Sequence, residues 1–244
     1  MSQRASVLPA PEDKAGYVAA MFGRIARHYD GMNTLMTLGQ DAGWRRLVVA
    51  AARPPPDGLV LDVGTGTGKL ALALARSMPT GRAIGVDLTP AMLRAGQPGL
   101  RSERVDLAVA DGARLPFADE QFDAVVSGFL VRNLADVPGG IAEQLRVLRP
   151  GGRLVVLETT PRPAPLIEPL FRLYFRGLVP LLGRVVAGDA TAYTYLPEST
   201  AAFIPPERLA DLLRDNGLRQ VGVRRLALGS VAVTTGTKGP AGPA

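Results

Sequence analysis

A glycine-rich segment in the first half of the chain restricts most strongly what this sequence can fold into. The apolar run 58–63 predicts a β-strand, which leads into Gly64-Thr65-Gly66-Thr67-Gly68, and residues 69–77 predict a helix. Glycines permit a tight turn between strand and helix, and they let a ligand approach the backbone closely. A dinucleotide-binding turn has its third glycine where Lys69 stands, so the spacing favours a ligand without a diphosphate.

Strands and helices alternate along the chain after this segment. Such alternation predicts an α/β fold with a mostly parallel, doubly wound sheet that carries helices on both faces. Two late strands complete a seven-stranded sheet, and the last of them is able to return antiparallel. After the strand at 58–63, the predicted strands are 83–86, 105–110, 122–128, 153–158, 219–226 and 230–235, and the predicted helices are 69–77, 90–96, 137–148 and 206–216.

The length of 244 residues is sufficient for a large core and too short for two ordinary domains. We therefore predict one domain over residues 15–237, with disordered ends at 1–14 and 238–244. Within that domain the pattern predicts a helical cap (15–52), a ligand-binding core (58–158), a helical insertion that contacts the substrate (159–203), and a C-terminal helix with two strands (204–237).

The chain contains no cysteine and one histidine, His28. Disulfides, zinc ribbons and thiol nucleophiles are therefore excluded, and we predict no metal site, because transition metals usually need several imidazoles or thiolates. Residues 1–14 lack the apolar segment of a signal peptide, and the longest stretch without a charged residue, 226–237, is too short to span a bilayer. These features predict a cytoplasmic protein.

The net charge of +6 and the pI of about 10.1 favour an anionic partner or surface. A nucleic-acid groove usually carries dense basic clusters with interleaved aromatic residues. Here no run of Lys and Arg exceeds two residues, and aromatic residues make up only 5% of the chain. We therefore rank nucleic acid low among the partners.

Three aspartates, Asp62, Asp87 and Asp111, stand at the ends of the first three predicted strands. Asp87 follows Gly68 by 19 residues, at a position where a carboxylate accepts hydrogen bonds from both hydroxyls of a ribose. Asp111 stands where an acid accepts a hydrogen bond from an adenine amino group. Because three acids suit a sulfonium cation better than a diphosphate, the pattern favours an adenosine cofactor that carries a sulfonium group.

Several segments resemble known methyltransferases. Leu115-Pro116-Phe117 and Arg149-Pro150-Gly151-Gly152 resemble recurring segments of class I S-adenosylmethionine-dependent methyltransferases. Two further groups resemble signatures of the quinone C-methyltransferases, which methylate demethylmenaquinol or the related ubiquinone precursor on a ring carbon. This resemblance covers about residues 17–236. The first group is Met21-Phe22-Gly23-Arg24-Ile25-Ala26, Tyr29-Asp30, Asn33 and Trp44-Arg45-Arg46, and the second is Val186-Ala187-Gly188-Asp189-Ala190, Tyr193 and Tyr195-Leu196-Pro197-Glu198-Ser199.

The resemblance implies a Rossmann-like class I methyltransferase fold, with S-adenosylmethionine as cofactor. It also implies a reaction: conversion of demethylmenaquinol to menaquinol, or of the equivalent ubiquinone precursor. Position by position, it places cofactor contacts at Thr67, Asp87, Asp111, Gly112 and Gly128. Together with the glycine turn and its neighbours, the predicted cofactor-binding residues are Asp62, Gly64, Gly66, Thr67, Gly68, Asp87, Leu88, Asp111, Gly112 and Gly128.

The segment Phe129-Leu130-Val131-Arg132-Asn133 resembles the F-G-L-R-N segment of the same family. The resemblance implies that Arg132 stabilises a quinol phenolate and that Asn133 orients a quinol oxygen. The alternatives are a surface salt bridge or a helix-cap donor for Arg132 and a helix N-cap for Asn133. The other catalytic candidates are Tyr29, Asp30, Tyr195 and, by its intrinsic pKa, His28, although tyrosines commonly pack and a lone histidine is commonly exposed.

Three residues depart from the family pattern. Leu130 stands where the family has a glycine, Lys69 where an acid is common, and Thr234 where a histidine is usual. Glu158-Thr159-Thr160-Pro161 also departs from the usual E-F-S/T-x-P. These departures leave cofactor use intact and the identity of the quinol open. The alternatives are methylation of another lipophilic or small aromatic natural product, a non-catalytic binding subunit, and an RNA methyltransferase, which the pI alone suggests.

Residues 165–186 form the most apolar region outside the strands and also carry arginines. This composition predicts a helix on an anionic membrane surface, which would make the protein peripheral at the inner face of the membrane, close to a prenylated quinol. A cover for the sheet edge or a homodimer contact is the alternative for the same segment.

Overall fold

The computed structural model describes residues 8–100, 103–161, 174, 177 and 190–240. Three helices precede the sheet: α1 (Pro11–Ile25), α2 (Tyr29–Met36) and α3 (Gln40–Ala52). The first turn of α1 contains Pro11, which has no N–H to leave unpaired, together with two acidic residues that complement the helix dipole. The prediction of disorder through residue 14 is therefore wrong for 11–14, which form this turn.

Seven strands form one sheet in the order β3-β2-β1-β4-β5-β7-β6. All neighbouring pairs are parallel except those of β7, which runs antiparallel to both β5 and β6. The predicted fold class is confirmed. The strands are β1 (Leu59–Val63), β2 (Arg82–Asp87), β3 (Val105–Val109), β4 (Phe122–Gly128), β5 (Leu148–Thr159), β6 (Leu218–Leu226) and β7 (Val231–Lys238).

Five described helices alternate with these strands or lie beside them. They are α4 (Lys69–Ser77), α5 (Pro90–Leu100), α6 (Val137–Val147), α7 (Ala190–Ala202) and α8 (Pro206–Asp215), and a short 3-10 turn covers Val131–Asn133. The predicted insertion segment at 165–186 lies outside the described residues, apart from 174 and 177. No helix of the described ranges has the length and hydropathy to cross a bilayer.

Of the strands that are longer than predicted, β5 and β7 extend furthest beyond their predicted bounds. β5 begins at Leu148 because the Pro150–Gly152 turn lies within its pairing with β4, where the register shifts between Phe122 and Ala124. β7 extends to Lys238, whose ammonium donates hydrogen bonds to the carbonyls of Leu145 and Leu148 at 3.0 and 2.8 Å. Lys238 is therefore part of the sheet, and the disordered tail predicted from 238 does not begin there.

The sheet is buried on both faces, which explains why its inner strands are almost continuously apolar. Successive residues of a strand point to opposite faces. Leu61 and Val63 pack in one cluster with residues of α6 and α8, whereas Val60 belongs to a second cluster with residues of α3 and α4. A third, separate cluster joins α1 and α2 to α7 through Met21, Ile25, Met32, Tyr193 and Tyr195.

The order of the strands determines where a ligand binds. β1 lies between β2 and β4. From β1 the sheet extends in one direction through β2 and β3, and in the other direction through β4 and β5. In open α/β sheets, ligands bind beyond the carboxyl ends of the strands at such a switch point. The glycine turn directly follows β1 at this edge.

Candidate active site

The glycine turn adopts a backbone that favours glycine. Gly64, Gly66 and Gly68 have φ angles of 69°, 60° and 80°, in the left-handed region that L side chains rarely occupy. A Cβ atom at Gly68 would lie 2.6 Å from Cδ1 of Leu100, so α5 packs closely against the turn. The sequence pattern therefore has a direct conformational cause.

Asp62 lies beneath the turn. Its Oδ2 accepts a hydrogen bond from the Thr65 hydroxyl at 2.6 Å and another from the Ala71 N–H, in the first turn of α4, at 3.0 Å. Burial raises the pKa of Asp62 to about 7, and its two hydrogen bonds oppose this shift. Asp62 thus connects the end of β1, the glycine turn and α4.

The other two predicted acids stand further along the same edge. Asp87 is partly buried, and its carboxylate accepts hydrogen bonds from the N–H groups of Gly66 at 2.9 Å and Thr89 at 2.8 Å. Burial raises the pKa of Asp87. Asp111 is exposed and accepts a hydrogen bond from the Ala113 N–H at 2.9 Å. Asp87 and Asp111 thus stand at the tips of neighbouring strands, as predicted, whereas Asp62 lies below the turn.

A cavity of about 740 Å³ extends from the glycine turn to the three N-terminal helices and α7. Of the predicted cofactor-binding residues, Asp62, Gly64, Gly66, Thr67 and Gly128 line it. The others lie outside its wall: Gly68, Asp87, Leu88, Asp111 and Gly112.

The end of the cavity away from the turn is apolar and aromatic. The rings of Trp44 and Phe129 lie 6.1 Å apart, and Met21, Tyr193 and Tyr195 are further parts of the wall. In the sequence, Trp44 stands out only as part of a family signature, because its place in the cavity depends on how α3 packs on the sheet. This end of the cavity accepts a flat apolar ligand.

Arg132 lies in the cavity wall and forms a buried ion pair with Glu158 behind it. The Arg132 guanidinium contacts one carboxylate oxygen of Glu158, and the Arg132 N–H donates to the other at 3.2 Å. The side chains expose only 6% and 4% of their surface, so the surface salt bridge considered for Arg132 is wrong. Glu158 was not predicted as a site residue, although a charged residue at the end of an apolar strand was a signal for it.

Side-chain hydrogen bonds of Asn133, Tyr195 and Lys14 stabilise the 3-10 turn that carries Arg132. Asn133 donates to the Phe129 carbonyl at 3.1 Å, and its Oδ1 accepts from the Tyr195 hydroxyl at 3.2 Å. From α1, the Lys14 ammonium donates to the carbonyls of Arg132 and Leu134 at 2.9 and 2.8 Å. Burial, followed by the charge of Arg132, lowers the pKa of Lys14.

The N-cap of α6 is Asp136, which accepts a hydrogen bond from the Gly139 N–H at 3.1 Å. The alternative assignment of Asn133 as that cap is therefore wrong. Asn133 itself is buried, and its amide contacts the turn and Tyr195 instead.

Asp30 joins the helical cap to the glycine turn. One of its oxygens accepts from the Thr67 hydroxyl at 2.8 Å, and the other lies 3.3 Å from the Lys69 ammonium. Tyr29 lies beside it in the cavity wall, and burial raises the pKa of Tyr29. His28, by contrast, is exposed and lies outside the wall.

Comparison with known proteins decides the family. The model of the ubiE/COQ5 methyltransferase family matches residues 10–238. The chain belongs to this family. The demethylmenaquinone methyltransferase of Roseiflexus castenholzii is 46% identical to it over 96% of this chain and 98% of that protein. The ubiquinone/menaquinone biosynthesis C-methyltransferase UbiE of Desulfotalea psychrophila is 45% identical over 91% of this chain and 90% of its own length.

Solved structures agree with this family in fold. The crystal structure of a SAM-dependent methyltransferase from Aquifex aeolicus superposes with a TM-score of 0.56 at 17% identity, over 79% of this chain and 87% of that one. The predictions of a class I fold, of the quinone C-methyltransferase family and of an S-adenosylmethionine-dependent methyltransferase are confirmed.

The structure shows what surrounds the three residues that depart from the family pattern. Leu130 lies across the cleft, within 2.8 Å of a Cβ built at Gly64 and 3.4 Å of one built at Gly112. Lys69 makes the ion pair with Asp30. Thr234 is buried in β7 opposite Val156 and lies outside the cavity wall.

Proposed function

We propose that this methyltransferase transfers a methyl group from S-adenosylmethionine to a ring carbon of a prenylated quinol in quinone biosynthesis. The acceptor is demethylmenaquinol, which becomes menaquinol, or the equivalent ubiquinone precursor. The observation that carries the proposal is one cavity that joins the glycine turn to an apolar aromatic chamber containing Arg132. The names of the relatives, at 45–46% identity over nearly their full length, support the same acceptors.

The residues at the carboxyl edge of the sheet fit the cofactor. A Cβ at Gly66 would lie 3.2 Å from Cε of Met92 and 3.7 Å from the Tyr29 ring, so glycine keeps open the space beside the turn. We assign Asp87 as the acceptor for the ribose hydroxyls, and the exposed Asp111 as the acceptor for an adenine amino group. When bound, S-adenosylmethionine supplies an electrophilic methyl group. We assign its binding to Asp62, Gly64, Gly66, Thr67, Gly68, Asp87, Leu88, Asp111, Gly112 and Gly128.

Arg132 is the residue that we assign to the quinol oxygen. A ring carbon becomes nucleophilic when its neighbouring hydroxyl loses a proton, and the resulting phenolate needs a fixed positive charge. A guanidinium stays protonated and is a poor base, so Arg132 stabilises charge and does not remove the proton. Glu158 fixes the orientation of the guanidinium. Asn133 lies outside the cavity wall, so the predicted contact with the quinol oxygen does not hold; with Tyr195 it fixes the turn that carries Arg132.

Methylation replaces a ring hydrogen, so one proton must leave the substrate. Burial raises the pKa of both Tyr29 and Tyr195, which therefore keep their protons and act as donors. Asp30 places a carboxylate in the same wall, and we assign the proton to it. His28 has no role in this scheme, since it is exposed and outside the wall.

The charges of the wall favour an uncharged acceptor over a nucleic acid. Among the described residues that line the cavity, the basic side chains are Arg45, Lys69 and Arg132, and each has an acidic partner. A nucleic-acid groove carries many cations that pair with successive phosphates, and these three basic side chains do not supply such a row. Another lipophilic or small aromatic acceptor is the second candidate, because the apolar chamber favours any such ring.

A prenylated quinol resides in the bilayer, so we propose that the protein works in the cytoplasm at the inner face of the membrane. The prediction that residues 165–186 bind an anionic membrane, or else form a homodimer contact, falls on residues outside the described ranges. It stays a prediction.

A methyl-transfer assay tests the proposed acceptor. Reduced demethylmenaquinone, a ubiquinone precursor, a small aromatic phenol and bulk RNA are offered side by side with labelled cofactor. We expect label in a quinol, and none in the oxidised quinone, which has no ionisable hydroxyl. Label in the phenol or RNA at higher kcat/KM than in either quinol would overturn the proposal.

A further inference from the structure

Two leucines stand at the mouth of the cavity. Leu38 and Leu228 both line its wall, yet they expose 80% and 70% of their surface. A residue that lines a cavity and is also largely exposed lies where the cavity opens to the outside. Leu38 follows α2, whereas Leu228 lies at the tip of the β6–β7 hairpin, so two remote segments contribute one apolar residue each.

The backbone at both positions is left-handed. Leu38 has a φ of 51° and Leu228 a φ of 55°, and each precedes a glycine that is also left-handed, Gly39 and Gly229. A bulky residue in this region is uncommon and its backbone is strained. The fold therefore holds two leucines outward in a strained conformation, where a glycine or asparagine would be more favourable.

We infer that these two loop tips form a membrane-docking rim, which inserts Leu38 and Leu228 into the surface of an anionic bilayer and opens the cavity mouth towards the lipid. The inference rests on the proposed function, because a prenylated acceptor must enter from the bilayer. Apolar side chains beside basic ones bind anionic lipid surfaces. The net charge is +6, and the exposed Arg46 and Arg224 lie on α3 and β6, the elements next to the two tips.

A second copy of the chain fits the rim less well than lipid does. A stable protein interface buries roughly 800 Å² on each partner, which two leucine side chains at separate loop tips do not supply. Lipid imposes no such requirement, since each inserted side chain gains independently from its removal from water.

The test uses a variant that removes the leucines without straining the loops. Asparagine tolerates the left-handed conformation, so the double variant Leu38→Asn, Leu228→Asn should keep the fold and its melting temperature. Val109→Thr is the matched control, because Val109 is exposed but lies outside the cavity wall. Flotation is measured with vesicles of phosphatidylcholine and phosphatidylglycerol, and with phosphatidylcholine alone, in the absence of any quinone or cofactor.

We expect wild type and Val109→Thr to bind the anionic vesicles equally. The affinity of the double variant for these vesicles should be lower by a factor of roughly ten or more. Equal binding by the double variant, or no binding by wild type, would overturn the rim. A dimeric wild type that becomes monomeric on substitution, without binding vesicles, would assign the rim to a second copy and also overturn it. Because the vesicles contain no quinone, failure to methylate any quinol would overturn the proposed function separately.

Discussion

The two ends of the cavity are built in different ways. At the cofactor end, the turn, Asp62 and Asp87 belong to β1, β2 and the loops that follow them, and their hydrogen bonds run between residues of adjacent strands and turns. At the acceptor end, Arg132 depends on Glu158, 26 residues away, and on Lys14, 118 residues away. The first end is a local product of the sheet edge, and the second is assembled from distant segments.

This difference separates two kinds of chemistry. A site built on adjacent strand ends accepts the same cofactor whatever the acceptor, because the strands fix its geometry. A site assembled from α1, the 3-10 turn, β5 and α7 changes with each of those elements. Substitutions at the cofactor end should therefore alter binding or stability, and those at the acceptor end should alter turnover.

Arg132→Met carries the largest expected effect. If Arg132 stabilises the phenolate as proposed, loss of its charge should lower kcat about 1000-fold, equivalent to about 4 kcal/mol, with cofactor affinity within about three-fold of wild type. Single-turnover kinetics and calorimetry measure the two quantities. Arg132→Lys should restore only part of the rate, because an ammonium lacks the planar fork.

The buried partner of Arg132 requires a control. When Arg132 is replaced by methionine, the buried Glu158 carboxylate is left unpaired, which costs about 3–5 kcal/mol of stability. The double variant Arg132→Met, Glu158→Gln removes that charge, and its turnover should remain as low as that of the single variant. Recovery of turnover in the double variant would mean that the single substitution acted through folding.

Asp62→Asn tests whether the cofactor end contributes to stability. Burial raises the pKa of Asp62 from 3.8 to about 7, so the folded protein holds this proton more tightly than the unfolded chain does. The resulting stabilisation is complete below pH 3.8 and is lost as the pH rises through 7. Between pH 4 and 7, the free energy of unfolding of Asp62→Asn should improve relative to wild type by about 3 kcal/mol. Urea denaturation at each pH measures it, and a constant difference would contradict the prediction.

Asp87→Ala should weaken cofactor binding about 100-fold, because it removes the acceptor for the ribose and the partner of the Gly66 N–H. Asp106→Ala is the matched control, since Asp106 is an exposed acid on β3 that pairs with Arg82 at 2.6 Å. Calorimetry with S-adenosylmethionine compares the two variants. Equal affinities would contradict the assignment of Asp87.

Asp30→Asn should have the smallest effect, and this effect should appear in both cofactor affinity and turnover. The amide retains an acceptor for Thr67 and loses the charge opposite Lys69, so we expect about a ten-fold loss spread over cofactor affinity and turnover. Since Asp30 joins the two ends, a loss confined to affinity would assign it to the cofactor end alone. A loss of kcat larger than the loss of cofactor affinity would support its role as proton acceptor.

The sequence predicted the cofactor end better than the acceptor end for the same structural reason. The bounds of α4 and β4 agree with the structure because hydrophobic periodicity and glycine spacing are local properties. The roles of Glu158 and Lys14 could not be read in this way, since their partners are far away in sequence. The first turn of α1 fell within the end predicted to be disordered, although Pro11 is favoured in a helix's first turn.

The position of β7 has a consequence for the order of folding. Of the described strands, β7 comes last in sequence and yet lies inside the sheet, paired with β5 on one side and β6 on the other. During synthesis, β5 and β6 therefore lack their shared pairing partner, β7, until residues 231–238 leave the ribosome. Such late, long-range pairing slows folding and leaves strand edges open in the meantime. A released chain truncated at Gly229 should consequently be recognised by chaperones and degraded, whereas a released chain that includes Lys238 should be native.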